Sequence, residues 1–146
     1  MKKLLTLVCI IAMMMVLTAC GAEKELTNTG VYEDWQLELQ DAEVYTNEDG
    51  VQVVKVNAVY TNNSEEPQYA LSSFAVRAFQ DDTELTDLSD INGNEAALIQ
   101  EVKNGQSLEV SYVFDFPTEK AFEVLIGTPT ADQETIGKQV YFDSEE

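Results

Sequence analysis

The sequence predicts an all-β domain, an immunoglobulin-like two-sheet β-sandwich of about seven strands, behind an N-terminal export segment. Beyond residue 33 the apolar residues recur with period two far more often than with period 3.6, which marks half-buried strands. Turn signals fall roughly every 8 to 12 residues, and no stretch carries a strong helical pattern. Short strands at that spacing fold as two packed sheets.

The chain opens with Lys2 and Lys3 and then runs apolar from Leu4 to Ala19, interrupted only by Thr6 and Thr18. That order is the charged start and apolar middle of an export signal. As a helix the run reaches about 24 Å, short of the roughly 30 Å hydrocarbon core, so a stable transmembrane span is the weaker reading. It ends in Leu17-Thr18-Ala19-Cys20-Gly21, which resembles the lipobox of bacterial lipoproteins. There the Cys thiol takes a diacylglyceryl group before cleavage. The expected organisation is a lipoprotein signal peptide at 1–19, cleaved between Ala19 and Cys20, a flexible tether at 20–33 from lipidated Cys20, and the sandwich at 34–146. Two acyl chains hold a protein where a single chain binds only reversibly. Cys9 leaves with the signal, so the mature chain keeps no thiol for a disulfide.

The strands follow in order. Trp35, Leu37 and Leu39 alternate with polar neighbours, and the parity then shifts to Ala42 and Val44, which predicts a bulge or break near Asp41. Asn47-Glu48-Asp49-Gly50 supplies an Asp-Gly turn into a strand with Val54, Val56, Ala58 and Tyr60 on one face. Val53, Lys55, Asn57 and Val59 take its other face, partly apolar, so this strand is read as central. Thr61 to Pro67 ends it, because Pro has no donor and Asn and Ser favour turns. Phe74, Val76 and Ala78 open a further hairpin through Gln80-Asp81-Asp82-Thr83 into a short strand, Glu84 to Leu88. Asn92-Gly93-Asn94 and Asn104-Gly105 mark turns, with one or two helical turns between Glu95 and Gln100. Leu108, Val110, Tyr112, Phe114 and Phe116 then line one face of the strand expected at the core's centre. Phe122, Val124 and Ile126 make another after Pro117, and Gln139 to Asp143 the last.

Composition narrows the function. The mature chain carries 6 basic against 27 acidic residues, a formal −21, which opposes nucleic acid and anionic headgroups. It suits solubility and cationic partners. The chain has no histidine, which removes the usual general base, the His-based triads and most transition-metal sites. It holds no Ser-x-x-Lys spacing and no Gly-x-Ser-x-Gly elbow. Carboxylate pairs are numerous, and none is singled out by its surroundings. No enzyme, catalytic residue or cofactor is therefore expected.

Three stretches resemble a family of uncharacterised lipoproteins and secreted proteins of Gram-positive bacteria. They are Val54 to Ser64; Phe74 to Asp81 with Glu84-Leu85; and Asn104 to Val110 leading into Val113-Phe114. The resemblance implies an immunoglobulin-like, telokin-like domain and an address on the outer face of a Gram-positive membrane. It brings no activity or binding residue with it. This chain departs from the family in having Asp82-Thr83 where Gly is usual after Gln-Asp, and Asn104 where Pro is common.

Among local constellations, Asp90, Asn92, Asn94 and Glu101 occupy positions 1, 3, 5 and 12 of a calcium loop, but position 6 is Glu95 where the turn wants Gly. The simpler reading is a solvated loop, and no metal ligand is assigned. Asp81, Asp82, Glu84 and Asp87 crowd one corner, where a cation or basic partner would ease their repulsion, though exposed acids are commonly just solvated. Tyr32, Trp35, Tyr45, Tyr60 and Tyr69 are candidates for an aromatic surface and more simply core or core-edge residues. The function these features favour is a membrane-anchored extracellular lipoprotein, a non-enzymatic binding or interaction module of the cell envelope. Its expected partner is an envelope or foreign protein rather than nucleic acid. The alternative is an accessory lipoprotein that binds a small ligand or a cation such as calcium.

Overall fold

The computed structural model describes residues 25–89 and 95–143. The strands are β1 (Thr29–Tyr32), β2 (Trp35–Thr46), β3 (Gln52–Asn62), β4 (Ala75–Gln80), β5 (Thr83–Glu84), β6 (Gln106–Asp115), β7 (Phe122–Gly127) and β8 (Thr135–Tyr141). Among the described residues there are also two single helical turns, α1 (Ala70–Ser73) and α2 (Glu95–Leu98). One sheet has the order β1-β2-β3-β6 and the other β5-β4-β7-β8, every pairing antiparallel. The chain is an all-β sandwich, as its period-two pattern predicts.

Alternation decides what each sheet buries. Val54, Val56, Ala58 and Tyr60 of β3 stand against Phe114, Tyr112, Val110 and Leu108 of β6, and all but half-buried Leu108 are buried. From the facing sheet come Ala78, Phe122, Val124 and Ile126. At one end the aromatic rings close the core, with Phe122 stacked on Tyr141 and edge-on to Phe116 at 5.2 Å in both cases. β3 is central, and Val53 on its other face is fully buried as well.

The register of β2 slips between Leu39, opposite Ala58, and Ala42, opposite Val56. Gln40 and Asp41 together face Asn57, which is the bulge the parity shift implies. The Asn47 side chain accepts the amides of Asp49 and Val51, and Gly50 takes φ 78°, closing the β2–β3 hairpin. Asp81 and Asp82 sit at φ 49° and 63° between the paired Gln80 and Thr83, the left-handed pair of a type I′ turn. Asp tolerates that region better than most residues, so this chain forms the turn without Gly.

Three boundaries differ from expectation. The stretch expected as tether through Glu33 is sheet from Thr29, because Gly30 lets β1 lie against the second sheet: a β-carbon there would come within 2.8 Å of Ile126 Cγ2. The expected strand from Glu84 to Leu88 stops at Glu84, since Leu85 turns into the core and the chain crosses to the first sheet. There the Leu88 amide donates to Val113 O, the Asp115 amide donates to Thr86 O, and Asp87 bridges Phe114. The last strand begins at Thr135 rather than Gln139 and ends at Tyr141, following its ladder with β7, which slips at Gly127.

Candidate functional site

Cys20 and Ala19 lie outside the described residues. What the structure describes is how the chain from Glu25 enters the domain. Thr27 O accepts the amide of Lys138 on β8 at 2.7 Å, and Asn28 O accepts the amide of Leu39 on β2 at 2.9 Å. The Asn28 side chain adds a bond to Leu39 O at 2.9 Å. The entering strand is thus stitched to both sheets, with Gly30 and Gly137 meeting at the seam.

The family-like stretches turn out to build the frame. Asn62 is fully buried; its amide donates to the carbonyls of Glu66 and Val102, both at 2.8 Å, and its oxygen accepts the Ser64 amide at 2.9 Å and the Ser64 hydroxyl at 2.6 Å. From the neighbouring loop, Asn104 donates to Ser64 O at 2.6 Å, and the Gly105 amide to Asn62 O at 2.6 Å. The Asn-Asn-Ser and Asn-Gly signals thus hold two loops together.

The acidic corner is dispersed. Glu84 forms a two-pronged ion pair with Arg77, at 2.8 and 2.9 Å. Those hydrogen bonds hold the Glu84 carboxyl below the ordinary range and push Arg77 up. Asp87 has left the corner for the β6 edge, where it accepts the amide and hydroxyl of Ser89 at 2.9 and 2.6 Å. Asp81 and Asp82 remain at the hairpin tip, exposed and without an ion pair among the described residues. Of the calcium-loop set only Glu101 is described, and it is exposed; Asp90, Asn92 and Asn94 lie outside the described residues. Among the described residues no three His, Cys, Asp or Glu side chains converge as metal ligands.

The aromatic candidates also separate. Tyr60 is buried edge-on to Phe74, and its hydroxyl meets Ser73 Oγ at 2.7 Å. Because Ser73 donates to Tyr69 O, the Tyr60 hydroxyl is the donor, and burial raises its pKa. Tyr32 and Trp35 pack at 6.1 Å against the core's edge, and the Trp35 indole reaches Ser64 Oγ at 3.4 Å. Tyr69 is exposed and Tyr45 half-buried. Burial also raises Tyr112, reinforced by the charge of Asp87, and Tyr141, reinforced by Asp41. The Tyr141 hydroxyl donates to the bulge carbonyl of Gln40 at 2.8 Å, whereas Tyr112 Oη is buried without a partner.

Among the described residues, hollows on the outer face of each sheet stand out. Over the β2 bulge, one of about 390 Å³ is walled by Asp41, Lys55, Asn57, Glu109 and Ser111, with Asn57 bonded to both Asp41 and Ser111. On the second sheet, one of about 370 Å³ has Phe79, Ala121 and Val140 as its apolar wall, Glu123 between Phe79 and Val140, and Asp81 and Asp82 at its edge; Phe122 borders it with its ring turned into the core. Sequence reading passed over this second hollow. Its signal was the pair of apolar residues on the outward parity, Phe79 and Val140, which a purely solvated face does not need.

A family model described as a domain of unknown function, DUF5067, matches residues 18–124. No curated protein sequence matches the chain. Among solved structures, a candidate lipoprotein of Staphylococcus aureus aligns over 83% of this chain and 92% of its own, at 12% identity and a TM-score of 0.64. A protein of Enterococcus faecalis aligns over 84% and 92%, at 18% identity and 0.56. The candidate lipoprotein ycdA of Bacillus subtilis aligns over 84% of this chain but only 40% of its own, at 15% identity and 0.55. At these identities the likeness is one of fold.

Proposed function

This chain belongs to the DUF5067 family, and on that premise we propose that it is a lipoprotein anchored through Cys20 to the outer face of a Gram-positive membrane, a non-enzymatic binding module of the cell envelope. The observation that carries the reading is the seam at the N-terminus. The Leu17-Thr18-Ala19-Cys20-Gly21 motif leads within a few residues to Thr27 and Asn28, whose carbonyls bond to β8 and β2. An anchor at Cys20 is therefore coupled to both halves of the core. The names of two fold relatives as candidate lipoproteins support the same address.

The domain itself, from Thr29 onward, we read as immunoglobulin-like. Leaving β1 aside, β2-β3-β6 with Thr86–Ser89 at its edge, facing β5-β4-β7-β8, follows the connections of an immunoglobulin sandwich whose second sheet carries one added strand. Such a frame leaves sheet faces and loops open for a partner, and an anchor raises the local concentration for any ligand held at the same membrane. With no histidine in the chain, recognition rather than proton transfer is the chemistry on offer.

Metabolic labelling with palmitate tests the anchor: label is expected on the native chain and lost in Cys20→Ser, and label retained in that variant refutes the assignment. Crosslinking on intact cells tests the module, with a defined envelope partner expected. A domain that emerges alone under several crosslinking chemistries refutes a binding role.

A further inference from the structure

The geometry points to the hollow between β4, β7 and β8 as a docking site for a basic peptide segment, whose lysine stems cross its apolar wall while their charges meet Asp81 and Asp82. The inference rests on the binding-module reading and names the chemistry of its partner.

The hollow is built by three strands. Phe79 of β4 and Val140 of β8 point outward on either side of β7, with Glu123, the register partner of both, between them; the Phe122 ring turns into the core, and the approach to β7 supplies Ala121. Gln80 turns inward and ties the 117–121 turn to the end of β4, donating to Thr118 O at 2.9 Å and Lys120 O at 3.3 Å. Val140 stays 40% exposed there.

Its charges are unevenly committed. Glu123 is paired with Lys138 at 2.8 Å, and Glu84, on the far side of the Phe79 ring, with Arg77, whose guanidinium lies 4.9 Å from that ring's centre. Asp81 and Asp82 have no such partner among the described residues. The carboxylates at the hollow do not converge as a metal would require. They border apolar surface instead, which matches a side chain with an aliphatic stem and a cationic tip. A mature charge of −21 steers such a partner toward the domain.

The test is fluorescence anisotropy of a labelled penta-lysine peptide against the full lipid-anchored protein in neutral detergent micelles. Asn tolerates positive φ as well as Asp, so Asp81→Asn/Asp82→Asn removes two charges and keeps the turn. Glu65→Gln/Glu66→Gln removes two charges from an exposed loop at the other end of β4, about 20 Å away. Saturable binding that falls at least tenfold in the Asp pair, less than twofold in the Glu pair and several-fold in Val140→Ser is expected. Equal losses in the two charge pairs reduce the effect to the general field and overturn the site. Calcium raising the melting midpoint of the native chain but not of the Asp pair, with no peptide bound, overturns it in favour of a cation. An envelope partner crosslinked equally to the native chain and the Asp pair, again with no peptide binding, overturns it while the binding-module reading stands.

Discussion

Asn62→Ala is expected to destabilise the domain by about 2 to 3 kcal/mol. The side chain is fully buried and makes four hydrogen bonds, each with a net worth of about 1 kcal/mol. The four do not count equally. Val102 O keeps a second donor, the Gln68 amide at 3.0 Å, and the Ser64 hydroxyl, released from Asn62 in the variant, can turn to Glu66 O 2.9 Å away, so neither carbonyl is stranded. The Ser64 amide sits at the domain's edge and can turn to water, which brings the sum below four. Asn62→Asp separates the roles: it keeps both acceptor bonds, removes both donors and places a charge among carbonyls, so it is expected to cost at least as much as Ala. Urea unfolding followed by Trp35 fluorescence is the assay, because the indole lies 3.4 Å from Ser64 Oγ and reports on the loop as well as the core. A loss under about 0.5 kcal/mol for Ala, or an Asp variant as stable as the native chain, refutes the view that this loop depends on the Asn62 amide.

Phe114→Ala is expected to cost roughly 3 to 5 kcal/mol, since the ring is 1% exposed at the sandwich centre, and a circular dichroism melt with an unchanged midpoint refutes its place there. Gly137→Ala is expected to cost about 1 to 3 kcal/mol, because the new β-carbon would meet Ile126 Cδ1 at 2.8 Å and the Gly30 backbone nitrogen at 3.1 Å; chemical denaturation checks this, and an unaffected midpoint shows the seam to be loose. Tyr112 and Tyr141 have raised pKa values in the fold, so they keep their protons when an unfolded chain would already have lost them. Their contribution is complete below the ordinary tyrosine value of 10 and is lost above it, at about 1.4 kcal/mol per pH unit for each, so midpoints measured from pH 9 upward are expected to fall steeply; Tyr112→Phe/Tyr141→Phe should flatten that fall, and an identical slope in the variant refutes the assignment.

Most of the fold was legible because period-two alternation and turn chemistry are local. The parity change from Leu39 to Ala42 marked the bulge, and Asp49-Gly50 marked the hairpin, each from a handful of adjacent residues. The misread boundaries depend on distant partners. Nothing near Thr29 says that Lys138 will donate to Thr27, and nothing near Leu85 says that the next four residues pair with β6 rather than β4. The acidic corner failed for the same reason. Four acids close in sequence pointed to one cluster, but Arg77 claimed Glu84 across a strand pair and the sheet crossing carried Asp87 away. Proximity in sequence was a poor guide to proximity of charge at that hairpin.

β8 links the N-terminal entry of the chain to the proposed groove. The amide of Lys138 donates to Thr27 O on the entering segment, while its ammonium pairs with Glu123 within the groove, and Val140 two residues on forms part of the groove's wall. Successive side chains of a strand point to opposite faces, so the same strand turns backbone toward the seam and alternate side chains toward solvent. With the anchor at Cys20 proposed above, a groove on a strand bonded to the entering segment would lie a short stretch of chain from the lipid. The Gly30–Gly137 contact keeps that linkage short, since a side chain at either position would push β1 off β8. On the same proposal, a partner held in the same envelope would meet the groove at a raised local concentration, and recognition through two aspartates and an apolar wall would need less intrinsic affinity than the same contact in free solution.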